Sequence, residues 1–408
     1  MMRRHRIVAA VLAAAGVVAA SSAGFALTAA AAAPVKIGIS LSLTGDYSGI
    51  GIGELQGYKL WQTYVNHHGG LLGRQVQLVV TDDGSDPNTT VSNYQNFITR
   101  DHTNLVFGPP TTLLSAPAGL VAQRYGYLFP TAASGSSLIL KEKLHNFFLV
   151  QPAGPLQTGT NWINYILSLP KAERPKTVAY VALQDPFLTP ATALVRAALQ
   201  KAGIKTVYDQ VYGTEDQEMQ PIVAAIAASH ADMVVGGTQE DDCFDMVKAM
   251  VAEHYNPKYL FFMNGPGYPV LFPKNVGKAN TDGIFTALSW WPQEKTYQQS
   301  TFEAAYLKKY GGSKANISPD AVEAYSVGQL ISEAVKKTHS LSNAKLIAAI
   351  HKGTWQTLQG PLTFGQNGLA KQGLVLDEWI NHTLQPVFPK RIALHAPEIP
   401  KQAWGSGA

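Results

Sequence analysis

A single cysteine, Cys243, stands among 408 residues, so no internal disulfide can form and cysteine-based zinc or iron–sulfur sites are excluded. Charge is scarce: Asp, Glu, Lys and Arg make up 15% of the chain, against about 25% in ordinary globular proteins. The formal net charge is +4, and loss of Arg3, Arg4 and Arg6 with the leader described below brings it to +1. A nearly neutral chain offers no electrostatic footprint for nucleic acid or an anionic membrane. No apolar run reaches the roughly 20 residues that span a bilayer; the run Ile7 to Ala20 has 14. No GxSxG or HExxH motif, no repeat of solenoid length and no low-complexity linker occurs. What the chain has in quantity is hydrophobic residues, 46%, which excludes disorder, and a length that predicts two or three domains at roughly 150 residues each.

Residues 1–33 read as a secretory signal in three parts: Arg3-Arg4-His5-Arg6, the apolar run from Ile7, and a small-residue stretch ending in Ala29 to Ala33. No cysteine stands directly after the apolar run, so no lipobox is expected. An exported protein without a lipid anchor needs another barrier to hold it near the cell, and a periplasmic location is expected.

From Val35 onward short apolar runs alternate with helical patterns, the grammar of βαβ units and parallel sheets. The spacing predicts strands at Val35 to Leu43, Val76 to Thr81, Asn104 to Phe107 and Tyr127 to Thr131, with helices from Glu54, Asp86-Pro87 and Leu113. Near Val150-Gln151-Pro152 the same grammar restarts as a second unit of similar size. A helical block then precedes a β tail, Leu374 to Ile380 and Gln385 to Phe388, with too few strands for a third domain. The expectation is an α/β chain of two doubly wound lobes, 34–152 plus 286–373 and 153–285 plus 374–408, with repeated crossings between them.

The cluster Gly49-Ile50-Gly51-Ile52-Gly53 follows a strand, but Thr44 to Ser48 intervene and the last glycine falls one residue late for a dinucleotide fingerprint. It reads as a flexible ligand-facing loop, and no cofactor is expected. Gly108-Pro109-Pro110-Thr111-Thr112 and Ala132-Ala133-Ser134-Gly135-Ser136-Ser137 each follow a strand at the sheet edge where open α/β folds bind ligands. Helix-start amides and hydroxyls of this kind can neutralise a carboxylate without a cation. The loops Gln184-Asp185-Pro186-Phe187, Thr238-Gln239-Glu240 and Asn264-Gly265-Pro266-Gly267-Tyr268 occupy the corresponding edge of the second unit. Trp290 and Trp291 either line the cleft between the units or form a buried core pair. His67-His68 reads as solvated turn chemistry, Asp82-Asp83 as turn and cap, and Cys243 as an inert thiol. Nothing assembles a reaction, so no enzyme activity and no metal site are expected.

Lys36-Ile37-Gly38-Ile39 leading to Leu43-Thr44-Gly45, Asn66 to Arg74, Asp82 to Pro87, and Gly360-Pro361-Leu362-Thr363-Phe364 with Asn367-Gly368 occur in an order and spacing that resemble the type I periplasmic solute-binding proteins of the branched-chain amino acid ABC transporter family. The resemblance covers nearly the whole mature chain. It implies two Rossmann-like lobes joined by three crossing segments, a monomer that closes on a small ligand and docks on membrane permease subunits. By that pattern Thr111, Thr112, Ala132, Ala133 and Ser134 fall where a ligand carboxylate is held, and Phe187 where a tyrosine often stands. Pro266 falls about where amino-acid binders carry the acid that pairs with the ammonium, leaving Asp185 and Glu240 as substitutes. With Thr238, Tyr268 and Trp290 these residues form the expected ligand site, for an amphipathic ligand such as an amino acid or an aromatic carboxylate or amide. The alternatives are a sensory ligand-binding protein of the same fold and an exported α/β hydrolase.

Overall fold

In strand β1, Val35–Leu41, every residue but Lys36 is buried, as expected for a strand flanked by parallel neighbours and covered on both faces. The structure, a computed structural model, describes residues 32–134, 139, 141–213 and 218–406. All but the end of the expected leader lies outside the described residues, as do Gly135, Ser136 and Ser137. Among the described residues no helix is long and apolar enough to cross a membrane.

Strand β1 pairs in parallel with β2 (Val76–Asp82) and β3 (Leu105–Phe107), Ile37 standing opposite both Leu78 and Leu105. Strand β4 (Phe129–Thr131) pairs in parallel with β5 (Phe147–Leu149). The Gly108 amide donates to the Pro130 carbonyl at 2.8 Å, which carries the sheet from β3 to β4. Between these strands run helices α1 (Ser48–His67), α2 (Pro87–Thr99) and α3 (Thr112–Arg124). Asp86 caps α2 by accepting from the Thr89 amide at 2.7 Å, with proline at the first helical position.

The second unit runs through α4 (Thr160–Ser168), β6 (Thr177–Leu183), α5 (Leu188–Lys201), β7 (Lys205–Tyr212), α6 (Met219–Ala228), β8 (Met233–Gly237), α7 (Glu240–Ala252), β9 (Tyr259–Phe262), α8 (Leu271–Val276) and β10 (Ile284–Leu288). The chain then returns to the first unit as α9 (Gln299–Tyr310), α10 (Pro319–Thr338), α11 (Asn343–Ile350) and the hairpin β11 (Thr354–Thr357) and β12 (Gly360–Thr363). It ends in the second with β13 (Val375–Ile380) and β14 (Thr383–Phe388). The second sheet has the order β14-β13-β10-β9-β8-β6-β7, parallel except where β13 and β14 join its edge antiparallel.

The buried apolar residues sort the same way. One cluster holds Trp162, Phe261, Phe285 and Trp379; its centre is Trp162 stacked on Phe261, ring centroids 5.3 Å apart. Two others, around Trp61, Phe107 and Tyr325 and around Tyr94, Phe97 and Phe129, lie in the first lobe. The chain passes between lobes after β5, after β10 and between Ala370 and Val375. Strand β10 stays in the second sheet to Leu288, held by pairing with β13, so the second passage falls a few residues beyond the expected boundary at 285.

The glycine cluster differs from the expected loop. Gly49, Gly51, Gly53 and Gly57 all lie inside α1, which starts six residues before the predicted Glu54. Its glycine face meets backbone: a Cβ on Gly57 would collide with the Ala321 carbonyl of α10, and one on Gly51 with the Ser42 carbonyl. Each helical glycine costs about 1 kcal/mol relative to alanine, offset here by a close approach no side chain would permit. Strand β5 likewise has no counterpart among the elements predicted for the first unit.

Candidate functional site

Both sheets point the carboxyl ends of their strands at one cavity, which measures about 930 Å³ counting the open space at its mouth. The first lobe supplies Pro110, Thr111 and Thr112 from the end of β3, and Ala133 and Ser134 from the end of β4. The two loops are tied together, since the Ser134 hydroxyl donates to Ser115 Oγ at 2.8 Å and that of Ser115 to the Pro109 carbonyl at 3.0 Å. Thr111 is the N-cap of α3, in extended conformation, without a side-chain cap bond. Its hydroxyl is buried and has no hydrogen-bond partner. The α3 N-terminus and its partial positive charge therefore stand at the cavity wall.

The second lobe supplies Asp185, Phe187, Gln239, Met263, Asn264 and Tyr268. Asp185 Oδ1 accepts from the Phe187 and Leu188 amides at 2.6 and 3.0 Å, so its carboxyl serves as the cap of α5. Burial raises its pKa and those two amides oppose the rise. Asn264 Nδ2 donates to Gln239 Oε1 at 3.0 Å, and the Pro266 carbonyl accepts from Trp379 Nε1 at 2.9 Å, fixing this loop to β13.

Two acids come from the returning chain. Asp320 and Glu323, in the opening turns of α10, line the cavity while exposing only 6% and 7% of their surface. Glu323 Oε1 accepts from the Ser289 hydroxyl at 2.7 Å; Asp320 Oδ2 accepts from Ser318 Oγ at 3.2 Å. Burial pushes the Glu323 carboxyl up to about 7 and lifts Asp320 well above the carboxylate range, where neighbouring Glu323 and Glu240 raise it further. Behind them Glu54 is fully buried with both oxygens unpartnered, and burial followed by the Asp320 charge lifts it too. No lysine, arginine or histidine lines the cavity among the described residues.

Of the residues expected at the site, Thr111, Thr112, Ala133, Ser134, Asp185, Phe187 and Tyr268 line this cavity together. Four do not. Ala132 and Thr238 are wholly buried at their strand ends, the Thr238 hydroxyl donating to the Asn264 carbonyl at 3.0 Å. Trp290 lies in the apolar core of the first lobe, so the core alternative holds for it. Glu240 sits one layer back, touching the cavity through the Tyr268 hydroxyl, and burial pushes its carboxyl up to about 7. Sequence reasoning passed over Gln151, Ser289, Asp320 and Glu323. An acid after Ser318-Pro319 at a helix start reads as ordinary complement to the helix dipole, and no local signal separates such an acid from one that faces a cavity.

Among the described residues no nucleophile and histidine or lysine base are brought together at this cavity. Cys243 is buried behind Gly265 with its thiol pKa raised, hence un-ionised. Among the described residues no group of three His, Cys, Asp or Glu is placed to hold a metal ion.

The sequence model of the periplasmic binding protein family matches residues 34–381. Among curated proteins, a Leu/Ile/Val-binding protein homolog of Brucella melitensis is 24% identical over 85% of this chain and 93% of its own length. A Pseudomonas aeruginosa protein named for binding leucine, isoleucine, valine, threonine and alanine is 21% identical over 88% and 93%. Among solved structures, the branched-chain amino acid transporter substrate-binding protein LivJ of Streptococcus pneumoniae, in complex with isoleucine, superposes with a TM-score of 0.75 at 18% identity, covering 90% of this chain and all of its own. A solute-binding protein of an R. palustris ABC transporter in complex with benzoate gives 0.75 at 19% identity, over 91% and 99%.

Proposed function

The chain belongs to the periplasmic binding protein family, and from that premise we propose that it is the solute-binding component of an ABC uptake transporter, exported through its N-terminal leader and delivering its ligand to membrane permease subunits. It has the type I periplasmic binding protein fold and is a binding protein, not an enzyme. One observation carries the reading: a cavity is walled by strand ends of both sheets and lined by hydroxyls, amides, the rings of Phe187 and Tyr268 and acids, and among the described residues no nucleophile stands beside a histidine or lysine base there.

Such a site works by population shift. The lobes sample open and closed arrangements, and a ligand that touches both stabilises the closed one by its differential affinity. A micromolar dissociation constant corresponds to about −8 kcal/mol, within reach of a few hydrogen bonds and one buried apolar group. The ligand is an amphipathic amino acid or related acid or amide, its polar end at Thr111, Thr112 and Ser134 and its apolar part against Phe187 and Tyr268. The names of the relatives, which include binders of aliphatic amino acids and of benzoate, support that range. The protein acts as a monomer.

Thermal-shift screening of aliphatic and aromatic amino acids, benzoates and amides tests the proposal. Ligand at 100 times its dissociation constant adds about 2.7 kcal/mol, and small-angle scattering should show contraction with the same compound. Turnover of a hit, or no shift with any compound, overturns it.

A further inference from the structure

We infer that Glu240 of the second lobe is a closure latch: its carboxyl caps the N-terminus of α1 in the first lobe, so that closing the cleft completes that helix and opening it leaves the helix uncapped. The latch rests on the solute-binding reading above and deepens it, since such a contact shifts the balance of open and closed arrangements on which affinity depends.

Helix α1 has no cap of its own. Its N-cap residue Tyr47 makes no side-chain cap bond and no acid stands in the first turn, where Ser, Thr, Asp or Asn is the usual cap. The Ser48 and Gly51 amides are met by the Gly45 and Tyr47 carbonyls at 3.1 and 3.0 Å. The Ile50 amide is met from across the cleft, donating to the Glu240 carboxyl. An acidic oxygen there suits the partial positive charge of the helix end. The bond does not depend on ionisation, because a protonated carboxyl still accepts at its carbonyl oxygen.

Two further features fit the same contact. A Cβ on Gly49 would fall 2.1 Å from Glu240 Oε2, so the carboxyl reaches the helix end only past a glycine. Gly49 is not in the left-handed region, and alanine would otherwise favour the helix; the other lobe explains the missing side chain. Tyr47 is 8% exposed and shares with Leu183, Tyr212 and Phe244 of the second lobe the lining of another hollow. The latch is also joined to the ligand site. Tyr268 lines the ligand cavity and its hydroxyl donates to the Glu240 carboxyl, whereas neither Glu240 nor Gly49 lines that cavity. A ligand that settles Tyr268 therefore settles the latch without touching it.

Two measurements on the purified mature protein test the latch. The first needs no ligand: hydrogen–deuterium exchange of the first turn of α1, read by mass spectrometry. Glu240→Ala and Gly49→Ala should each speed exchange at Ile50 several-fold, while α2, capped by Asp86 within its own lobe, exchanges as before. The second is calorimetry with leucine, phenylalanine and benzoate as probes. With any probe that binds, each variant should weaken affinity roughly 10-fold, and Glu240→Gln, which keeps an acceptor oxygen, should stay within about 3-fold of the unaltered protein. The double variant should bind no worse than Glu240→Ala alone, because the added methyl then has room. A thermal melt confirms that each variant is folded. Unchanged exchange at Ile50, unchanged affinity, or losses that add in the double variant overturn the latch and leave the solute-binding reading standing. A panel in which no probe binds counts against that reading, and the exchange at Ile50 still decides the latch.

Discussion

The two lobes match in the order of their first five strands and differ in what they bring to the cleft. The first lobe presents a helix N-terminus, hydroxyls and the carboxyls of Asp320 and Glu323; the second presents Phe187, Tyr268 and amides. Each wall also holds an acid near a helix start, yet the two are not equivalent. Asp185 accepts two backbone amides and is spent on capping α5, whereas Glu323 meets a serine hydroxyl and the Gln151 side chain and keeps no backbone amide. The difference teaches that the availability of a carboxyl is set by the amides around it, more than by its closeness to a cavity.

The largest way to break this comparison is mechanical. Gly57→Val should push α1 off α10 and destabilise the first lobe by about 3 kcal/mol, as overpacking does, while the second keeps its own core; calorimetry resolving two transitions would show it. Thr112→Ala should lower ligand affinity by roughly 10-fold without changing the melting temperature by more than a degree or two, and unchanged affinity would remove Thr112 from the site.

The acids set a pH dependence next in size. Glu240 and Glu323 are pushed up to about 7 by burial, from about 4.3 in an unfolded chain. The folded protein therefore holds more protons than the unfolded one between those values, so their contribution to stability is full below about pH 4.3 and fades as pH rises through 7. The ligand-free protein should melt higher at pH 5.5 than at pH 7. Lys401, whose pKa burial lowers to about 7, acts in the opposite sense only above that window. Smallest is Asp185→Ala, which should cost about 1 kcal/mol in urea unfolding as a lost cap.

Much of the fold was legible because its signals are local. Strand β3 ends at Phe107 as read from its apolar run, and α2 begins where Asp86-Pro87 announces a cap. The misread glycine cluster shows where locality fails. Glycines in a row signal flexibility in isolation, and only the carbonyls of Ser42 and Ala321 reveal that they permit close packing inside a helix. The rims around Thr111 and Ser134 were readable because binding loops follow strand ends. Trp290 misled because an aromatic near a crossing looks the same in sequence whether it faces a cleft or a core.

Alternation of apolar runs with helical periods determined the two α/β lobes, their order and the loops that could meet a ligand, since periodicity is a property of neighbouring residues. Tertiary structure alone decided which acids stand at the cavity. Asp320 and Glu323 line the same cavity as Thr111 only because the chain returns to the first lobe after its passage through the second from Thr160 to Leu288, and the burial that shifts their protonation is created by elements distant in sequence. Desolvation is a property of the surroundings and not of the residue, so it exists only once those elements pack together.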